Sequence, residues 1–219
     1  NLEAVAEADT IVFDKTGTLT KAHPTVVDVI SFNGDDPDEL LRVAACMEEH
    51  FPHSMAKAVV YAAKKRNLEH EEMHSKVEYM VAHGISTEIE GKRAVIGSYH
   101  FVFEDEKCRI PEGKEELFES LSGEYSHLYL AMEQELAAVI RIEDPLRDEA
   151  VEVIRLLKEE GIANIVMMTG DSERTAASIA KRVGVDDYDS EVLPEEKARF
   201  VEKERAKRKE SYYDWRWHQ

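Results

Sequence analysis

Asp14 stands at the end of a short apolar run, Thr10-Ile11-Val12-Phe13, and is followed by Lys15-Thr16-Gly17-Thr18-Leu19-Thr20. A carboxylate at a strand end, followed by Lys15 and a Thr-Gly-Thr turn, is placed to meet a phosphoryl group, with Lys15 expected among the phosphate-binding residues. Gly17 lets backbone approach closely, and successive N–H groups of such a turn, Thr18 included, can face phosphate oxygens. Aspartate is a competent nucleophile and would form an aspartyl-phosphate. Carboxylate and phosphate repel each other, so the chemistry implies Mg²⁺ held by oxygen ligands. A second polar loop, Thr169-Gly170-Asp171, closes another apolar run, Asn164-Ile165-Val166-Met167-Met168. A lysine, Lys197, follows in Leu193-Pro194-Glu195-Glu196-Lys197.

These loops need a frame. Residues 146–160 carry an amphipathic pattern ended by Gly161, which predicts a helix. Ser172 is a suitable N-cap for a helix through Val183, ended by Gly184, and Pro194 suits the first turn of another. Strand, helix, strand, helix predicts a parallel, doubly wound α/β sheet. Ligands of such sheets bind beyond the carboxyl ends of the strands, where both loops fall. The middle of the chain differs. Residues 37–49 and 53–67 predict two helices. Alternating strands are then expected over 76–82, 85–90 and 92–97, two short helical pieces follow, and a hairpin covers 127–133 and 135–142. Strands in direct succession predict an antiparallel α+β domain, spanning residues 24–141 and inserted into the α/β domain of 1–23 and 142–209.

Composition narrows the function. The 219 residues are 43% hydrophobic, enough for a core, and the formal net charge of -18 speaks against a nucleic-acid groove. The basic stretch Lys203–Lys209 is read as a solvated helix face. Cys46 and Cys108 form no CxxC pair and are expected to be small core residues. No apolar run approaches the roughly 18 residues that would span a bilayer, and no signal peptide is visible. Because the chain opens on Asn1, it is expected to be a piece of something longer.

The string Asp14-Lys15-Thr16-Gly17-Thr18-Leu19-Thr20 resembles the phosphorylation signature of P-type ATPases, within the haloacid dehalogenase superfamily, and the resemblance extends to about Lys209. It implies a phosphorylation (P) domain with an inserted nucleotide-binding (N) domain, ATP as substrate and Mg²⁺ as cofactor. Phosphatases of the superfamily carry a second Asp two residues after the nucleophile, as general acid and base. Here that position is Thr16, which implies a phospho-enzyme that lasts long enough to drive a conformational step. By the same resemblance Thr169 would hydrogen-bond a phosphoryl oxygen, Gly170 would permit close approach, and Asp171 would belong to the phosphate loop, although a helix N-terminal charge also explains it. Lys197 would balance charge on the transferred group. Asp14 and Thr16 would ligate Mg²⁺. Asp144-Pro145-Leu146-Arg147 matches a DxxR element that orders the hinge.

Within the insert, Phe51-Pro52-His53-Ser54-Met55-Ala56 resembles the His-Pro locus of heavy-metal P-type ATPases, where His53 would contact adenine. Pro52 and Ser54 depart from that pattern, and Glu49 is the candidate substitute for its missing glutamate. Ala82-His83-Gly84 aligns with a Gly-x-Gly element, with Gly84 retained. The small insert also favours the metal subgroup. One family motif, which completes the Mg²⁺ site, is expected soon after Lys209. Residues 210–219, Glu-Ser-Tyr-Tyr-Asp-Trp-Arg-Trp-His-Gln, do not contain it. A permitted set of codons for them, read one base later, spells Lys-Val-Ile-Met-Ile-Gly-Asp-Gly-Ile, so the tail is read as an aberrant, frame-shifted version of that strand and motif, leaving the P-domain C-terminally truncated.

The expectation is the ATP-binding and phosphorylation unit of a heavy-metal-transporting P-type ATPase, at the cytoplasmic face of a membrane. Transmembrane and actuator domains of the parent would be its partners, alongside ATP, with no nucleic acid and a monomeric unit. A soluble phosphatase of the superfamily and an inert nucleotide-binding fragment are the alternatives.

Overall fold

The computed structural model describes residues 9–49, 54–68, 74–80, 84–121, 123–193, 196–207 and 212–213. In chain order the strands and helices are β1 (Thr10–Asp14), β2 (Thr25–Ser31), α1 (Pro37–Glu48), α2 (Ser54–Lys65), β3 (His74–Met80), β4 (Gly84–Ile89), β5 (Lys92–Gly97), α3 (Glu115–Ser120), β6 (Ser126–Met132), β7 (Glu135–Glu143), α4 (Ala150–Glu159), β8 (Asn164–Met168), α5 (Glu173–Val183), β9 (Asp187–Asp189), α6 (Lys197–Lys207) and β10 (Tyr212–Tyr213). The chain forms two compact units: Asn1–Ala22 with Pro145–Gln219, and His23–Asp144. Among the described residues no helix is long and apolar enough to cross a membrane.

The first unit is built on a parallel sheet of order β10-β1-β8-β9. β1 and β8 are apolar at every interior position because both of their faces are covered. Ile11 and Phe13 join Ile165 and Met167 beneath Ala150 and Ile154 of α4 and Ala176, Ile179 and Ala180 of α5. The intervening residues, Val12, Val166 and Met168, turn to the other face and meet Val192 and Phe200. This alternation aligns β1 and β8 in register from Thr10↔Asn164 to Asp14↔Met168, so both strands end at the same level. α5 has the expected boundaries. Ser172 Oγ accepts from the Thr175 N–H at 3.4 Å, and Gly184 closes the helix at φ +84, a left-handed conformation that glycine adopts without penalty. α4 starts later than the sequence pattern predicts. Leu146 is bridged to Thr20, and the Arg147 N–H donates to the Leu19 carbonyl. The backbone of 146–147 is thus committed to β1's exit loop and unavailable to a helix. Tyr212–Tyr213 of the tail adds a parallel strand beside Ile11 and Val12.

The second unit carries an antiparallel sheet of order β2-β7-β6-β5-β4-β3. β2 was not anticipated; its Val-Val-Asp-Val-Ile run pairs with β7 from Thr25↔Glu143 to Ser31↔Ala138. α1 and α2 cover one face through Leu40, Leu41, Ala44, Met47, Val59 and Ala63. α1 is capped by Asp36, whose side chain accepts from the Asp38 N–H, with Pro37 in the first turn. The opposite face is not bare: Phe101, Val102, Leu117, Phe118 and Leu121 pack on Phe32, Val95, Tyr129 and Val139. Cys46 and Cys108 are both free and buried.

Candidate active site

The polar site of the first unit gathers at the carboxyl ends of β1 and β8. Beyond Asp14 the chain makes a wide turn over Lys15–Leu19, closed by the Thr20 N–H donating to the Lys15 carbonyl at 3.2 Å. The turn needs Gly17, which sits at φ +78, a region that L side chains rarely adopt. Its Cβ position meets nothing within 4 Å, so the backbone angle rather than crowding demands glycine there.

Asp14 is half-buried. Its Oδ2 accepts from Lys197 Nζ at 2.6 Å, across 183 residues of sequence. Its Oδ1 is buried and makes no hydrogen bond. A buried carboxylate oxygen without a donor is unfavourable unless a cation or another electrophile meets it. Thr16 is exposed and Thr18 half-buried.

Lys15, expected among the phosphate-binding residues, is paired within the protein: its side chain is only 5% exposed, and its Nζ lies 2.5 Å from Asp171 Oδ2, itself 10% exposed. Lys15 follows the β1 end and Asp171 follows the β8 end, so this ion pair ties the two loops together. Asp171 also accepts from Thr169 Oγ1 at 3.0 Å, while its own N–H donates back to Thr169 Oγ1 at 3.1 Å. The Thr169 backbone is braced on both sides: its N–H donates to the Asp189 carbonyl and its carbonyl accepts from the Val192 N–H, each at 3.0 Å. Thr169 is thereby fixed at the open end of the sheet. Gly170 is exposed, and a Cβ there would make only ordinary contact, 3.5 Å from the Val192 carbonyl. The protein's own packing does not require glycine at 170.

The expectation that several turn amides face phosphate needs one correction. The Gly17 N–H is already engaged, donating to Thr20 Oγ1 at 3.0 Å. Arg147 Nη2 donates to the Gly17 carbonyl at 3.1 Å. This contact of Arg147 was not legible beforehand, because nothing local links residue 147 to residue 17; the Thr20 contact is local, three residues on, and was missed. A neighbouring support was also missed. Glu173, at the start of α5, accepts from the Tyr188 hydroxyl at 2.6 Å and the Ser190 hydroxyl at 2.7 Å. These two donors hold its carboxyl below the usual carboxylate range, the Tyr188 bond contributing most.

At the carboxyl ends of β1 and β8, Lys197 answers Asp14 and Lys15 answers Asp171, while Arg147 reaches the Gly17 carbonyl. Among the described residues no group of three or more His, Cys, Asp or Glu side chains could hold a metal by itself.

The residues expected to contact adenine belong to the second unit. Glu49 is exposed at the end of α1. His53 lies outside the described residues, as do Ala82 and His83. Gly84 opens β4, where an added Cβ would overlap the Phe101 ring and the Ile96 carbonyl. Close packing therefore gives this glycine a reason independent of any ligand.

Residues 8–213 match the model of the haloacid dehalogenase-like hydrolases. The chain is 34% identical over 92% of its length to a zinc-exporting P-type ATPase of Mycobacterium marinum, of which it covers 28%. It is 34% identical over 92% of its length to a manganese-exporting P-type ATPase of Mycobacterium bovis, again covering 28% of that protein. Copper-transporting ATPase 2 of Rhizobium meliloti is 33% identical over 92% of the chain and 24% of the relative. The chain thus spans about a quarter of the length of these relatives. Among solved structures, the catalytic domain of the CPx-ATPase CopB-B superimposes with a TM-score of 0.67 at 27% identity, covering 94% of this chain and 70% of that one. A zinc-transporting PIB-type ATPase in its E2.Pi state gives 0.56 at 28% identity, covering 94% of this chain and 33% of that one. The chain belongs to the haloacid dehalogenase-like hydrolases, and within them its relatives are heavy-metal P-type ATPases.

Proposed function

We propose that this chain is the ATP-binding and phosphorylation unit of a heavy-metal-transporting P-type ATPase, and that Asp14 accepts the γ-phosphoryl group of ATP. The observation that carries this reading is the Lys197–Asp14 contact at 2.6 Å, at the end of a buried strand whose next-but-one residue is Thr16. One Asp14 oxygen attacks the γ-phosphorus, the bond to the β–γ bridging oxygen breaks, ADP leaves, and an acyl phosphate remains. Lys197 is close enough to follow the negative charge from the carboxylate to the phosphoryl oxygens. Thr169, braced by Asp189 and Val192, lies buried at the same end of the sheet, with its hydroxyl donating to Asp171 Oδ2, and would have to turn from that partner to reach a phosphoryl oxygen. With Thr16 two residues beyond the nucleophile, no carboxylate stands there to activate water, which favours a persistent acyl phosphate over a phosphatase cycle.

Asp14 and Thr16 fit two of the oxygen ligands of Mg²⁺: Asp14 Oδ1 is buried with no hydrogen-bond partner, and Thr16 follows two residues on, while the motif expected to supply an acidic ligand after Lys209 is not found in residues 210–219. Two protein oxygens suit a cation that keeps most of its water and shares phosphate oxygens. When bound, Mg²⁺ would supply charge neutralisation between carboxylate and phosphate. Glu49, His53 and Gly84 are the candidate adenine contacts. The transported ion would bind in membrane helices of a parent protein, whose actuator and membrane parts would be this unit's partners at the cytoplasmic face.

Incubation with γ-labelled ATP and Mg²⁺ tests the reading. Acid-stable, hydroxylamine-labile label on the wild type, absent from Asp14→Asn, supports it. Steady release of phosphate from small phosphomonoesters without covalent label refutes it in favour of a phosphatase.

A further inference from the structure

We infer that Thr20 and Arg147 are positioning residues for the phosphoryl-acceptor loop, acting by clamping the two peptide planes on either side of Gly17. This rests on the acceptor role of Asp14 proposed above. The Thr16–Gly17 plane is held by the Gly17 N–H, which donates to Thr20 Oγ1 at 3.0 Å. The Gly17–Thr18 plane is held by the Gly17 carbonyl, which accepts from Arg147 Nη2 at 3.1 Å. Both holders are themselves anchored. Thr20 is 1% exposed and bridges to Leu146, and the Arg147 N–H donates to the Leu19 carbonyl at 2.8 Å.

The consequence follows from peptide geometry. In a trans peptide the carbonyl and the N–H point in opposite directions. Directing the Gly17 N–H at Thr20 therefore turns the Thr16 carbonyl the other way. Directing the Gly17 carbonyl at Arg147 turns the Thr18 N–H away from the guanidinium. The clamp consumes one donor and one acceptor of the turn and orients the neighbouring acceptor and donor. Those two are a cation ligand of the right chemistry at Thr16 and an anion donor at Thr18. Gly17 makes this arrangement adjustable, since at φ +78 with open space around it no side chain locks the turn. The holders must come from elsewhere, and one of them lies 130 residues away.

The test uses Thr20→Val, Thr20→Ser, Arg147→Met and Arg147→Lys in the full chain, with two readouts. Amide hydrogen exchange of Gly17 is the first, and needs no activity. The second is the Mg²⁺ concentration that half-saturates phospho-enzyme formation from ATP. Groups that orient a metal ligand from behind are worth about 10–100-fold in metal affinity. Thr20→Val should therefore release the Gly17 amide to exchange and raise the Mg²⁺ half-saturation about 10–100-fold, with β1 and β8 amides still protected. Thr20→Ser should restore both. Arg147→Met should raise the Mg²⁺ half-saturation, with Arg147→Lys recovering part of it. A Gly17 amide that exchanges freely in the wild type overturns the clamp. So does label whose Mg²⁺ dependence is the same in Thr20→Val as in the wild type. Wild-type protein that takes no label while Gly17 stays protected overturns the acceptor reading itself, and the positioning role with it.

Discussion

Replacing Lys15 by methionine separates two roles for that residue. If it binds phosphate, the change removes a ligand contact and leaves the resting fold intact. If it ties the β1 loop to the β8 loop, as the 2.5 Å contact with Asp171 indicates, the change leaves a carboxylate of 10% exposure without its cation. Breaking a buried pair from one side costs about 3–5 kcal/mol. Asp171 keeps the Thr169 hydroxyl as a donor at 3.0 Å, which places the loss at the lower end, about 3 kcal/mol. For a chain of this size each kcal/mol moves the melting temperature by about 2–4 °C, so Lys15→Met should melt about 6–12 °C lower. The cycle is completed by Asp171→Asn, which strands the lysine, and by the double variant, which strands no charge. The double variant should recover at least half of the loss, a positive coupling of about 1.5 kcal/mol or more. Thermal and urea melts followed by circular dichroism measure all four proteins. A Lys15→Met protein that melts within about 2 °C of wild type, yet takes no phosphoryl label, would refute the strut and restore the phosphate contact.

Three further outcomes are expected. Gly170→Ala should melt within about 0.5 kcal/mol of the wild type, because its Cβ meets only ordinary contact, while acyl-phosphate labelling falls if the loop lies against the phosphoryl group. Gly84→Ala should behave in the opposite way: overlap with Phe101 and the Ile96 carbonyl should cost about 1–3 kcal/mol in urea unfolding before any nucleotide is added. The third concerns acid. Hydrogen bonds from Tyr188 and Ser190 depress the folded pKa of Glu173, so the stabilisation they bring is present above the unfolded carboxylate value of about 4.3 and is lost as pH falls through the folded value. Wild type should therefore melt above Glu173→Gln at neutral pH, with the difference closing in acid; a difference that does not change with pH would be inconsistent with this linkage.

How much of this was visible in the chain alone depends on the range of each interaction. Asp14, Thr16 and Gly17 lie within four residues, and the turn that relates them is a local property of glycine at positive φ. The ends of α5 were legible for the same reason, since Ser172 and Gly184 act on their own helix. The antiparallel unit was recognisable from strands in succession, but β2 was passed over. Its alternation is weak and its pairing with β7 joins residues more than a hundred positions apart.

What only the tertiary structure decided is where the charges point. Spacing shows that Lys15 adjoins the turn at Gly17; it cannot show that the side chain turns inward to Asp171, 156 residues on. Nor can it show that Arg147 returns to hold the carbonyl of Gly17, or that Gly84 is demanded by the ring of Phe101. Sequence determined the chemistry available, because reactivity belongs to residue types and short turns. The fold determined which of those groups remain open for a ligand, because a buried donor or acceptor takes the nearest partner the packing provides, however distant it is along the chain.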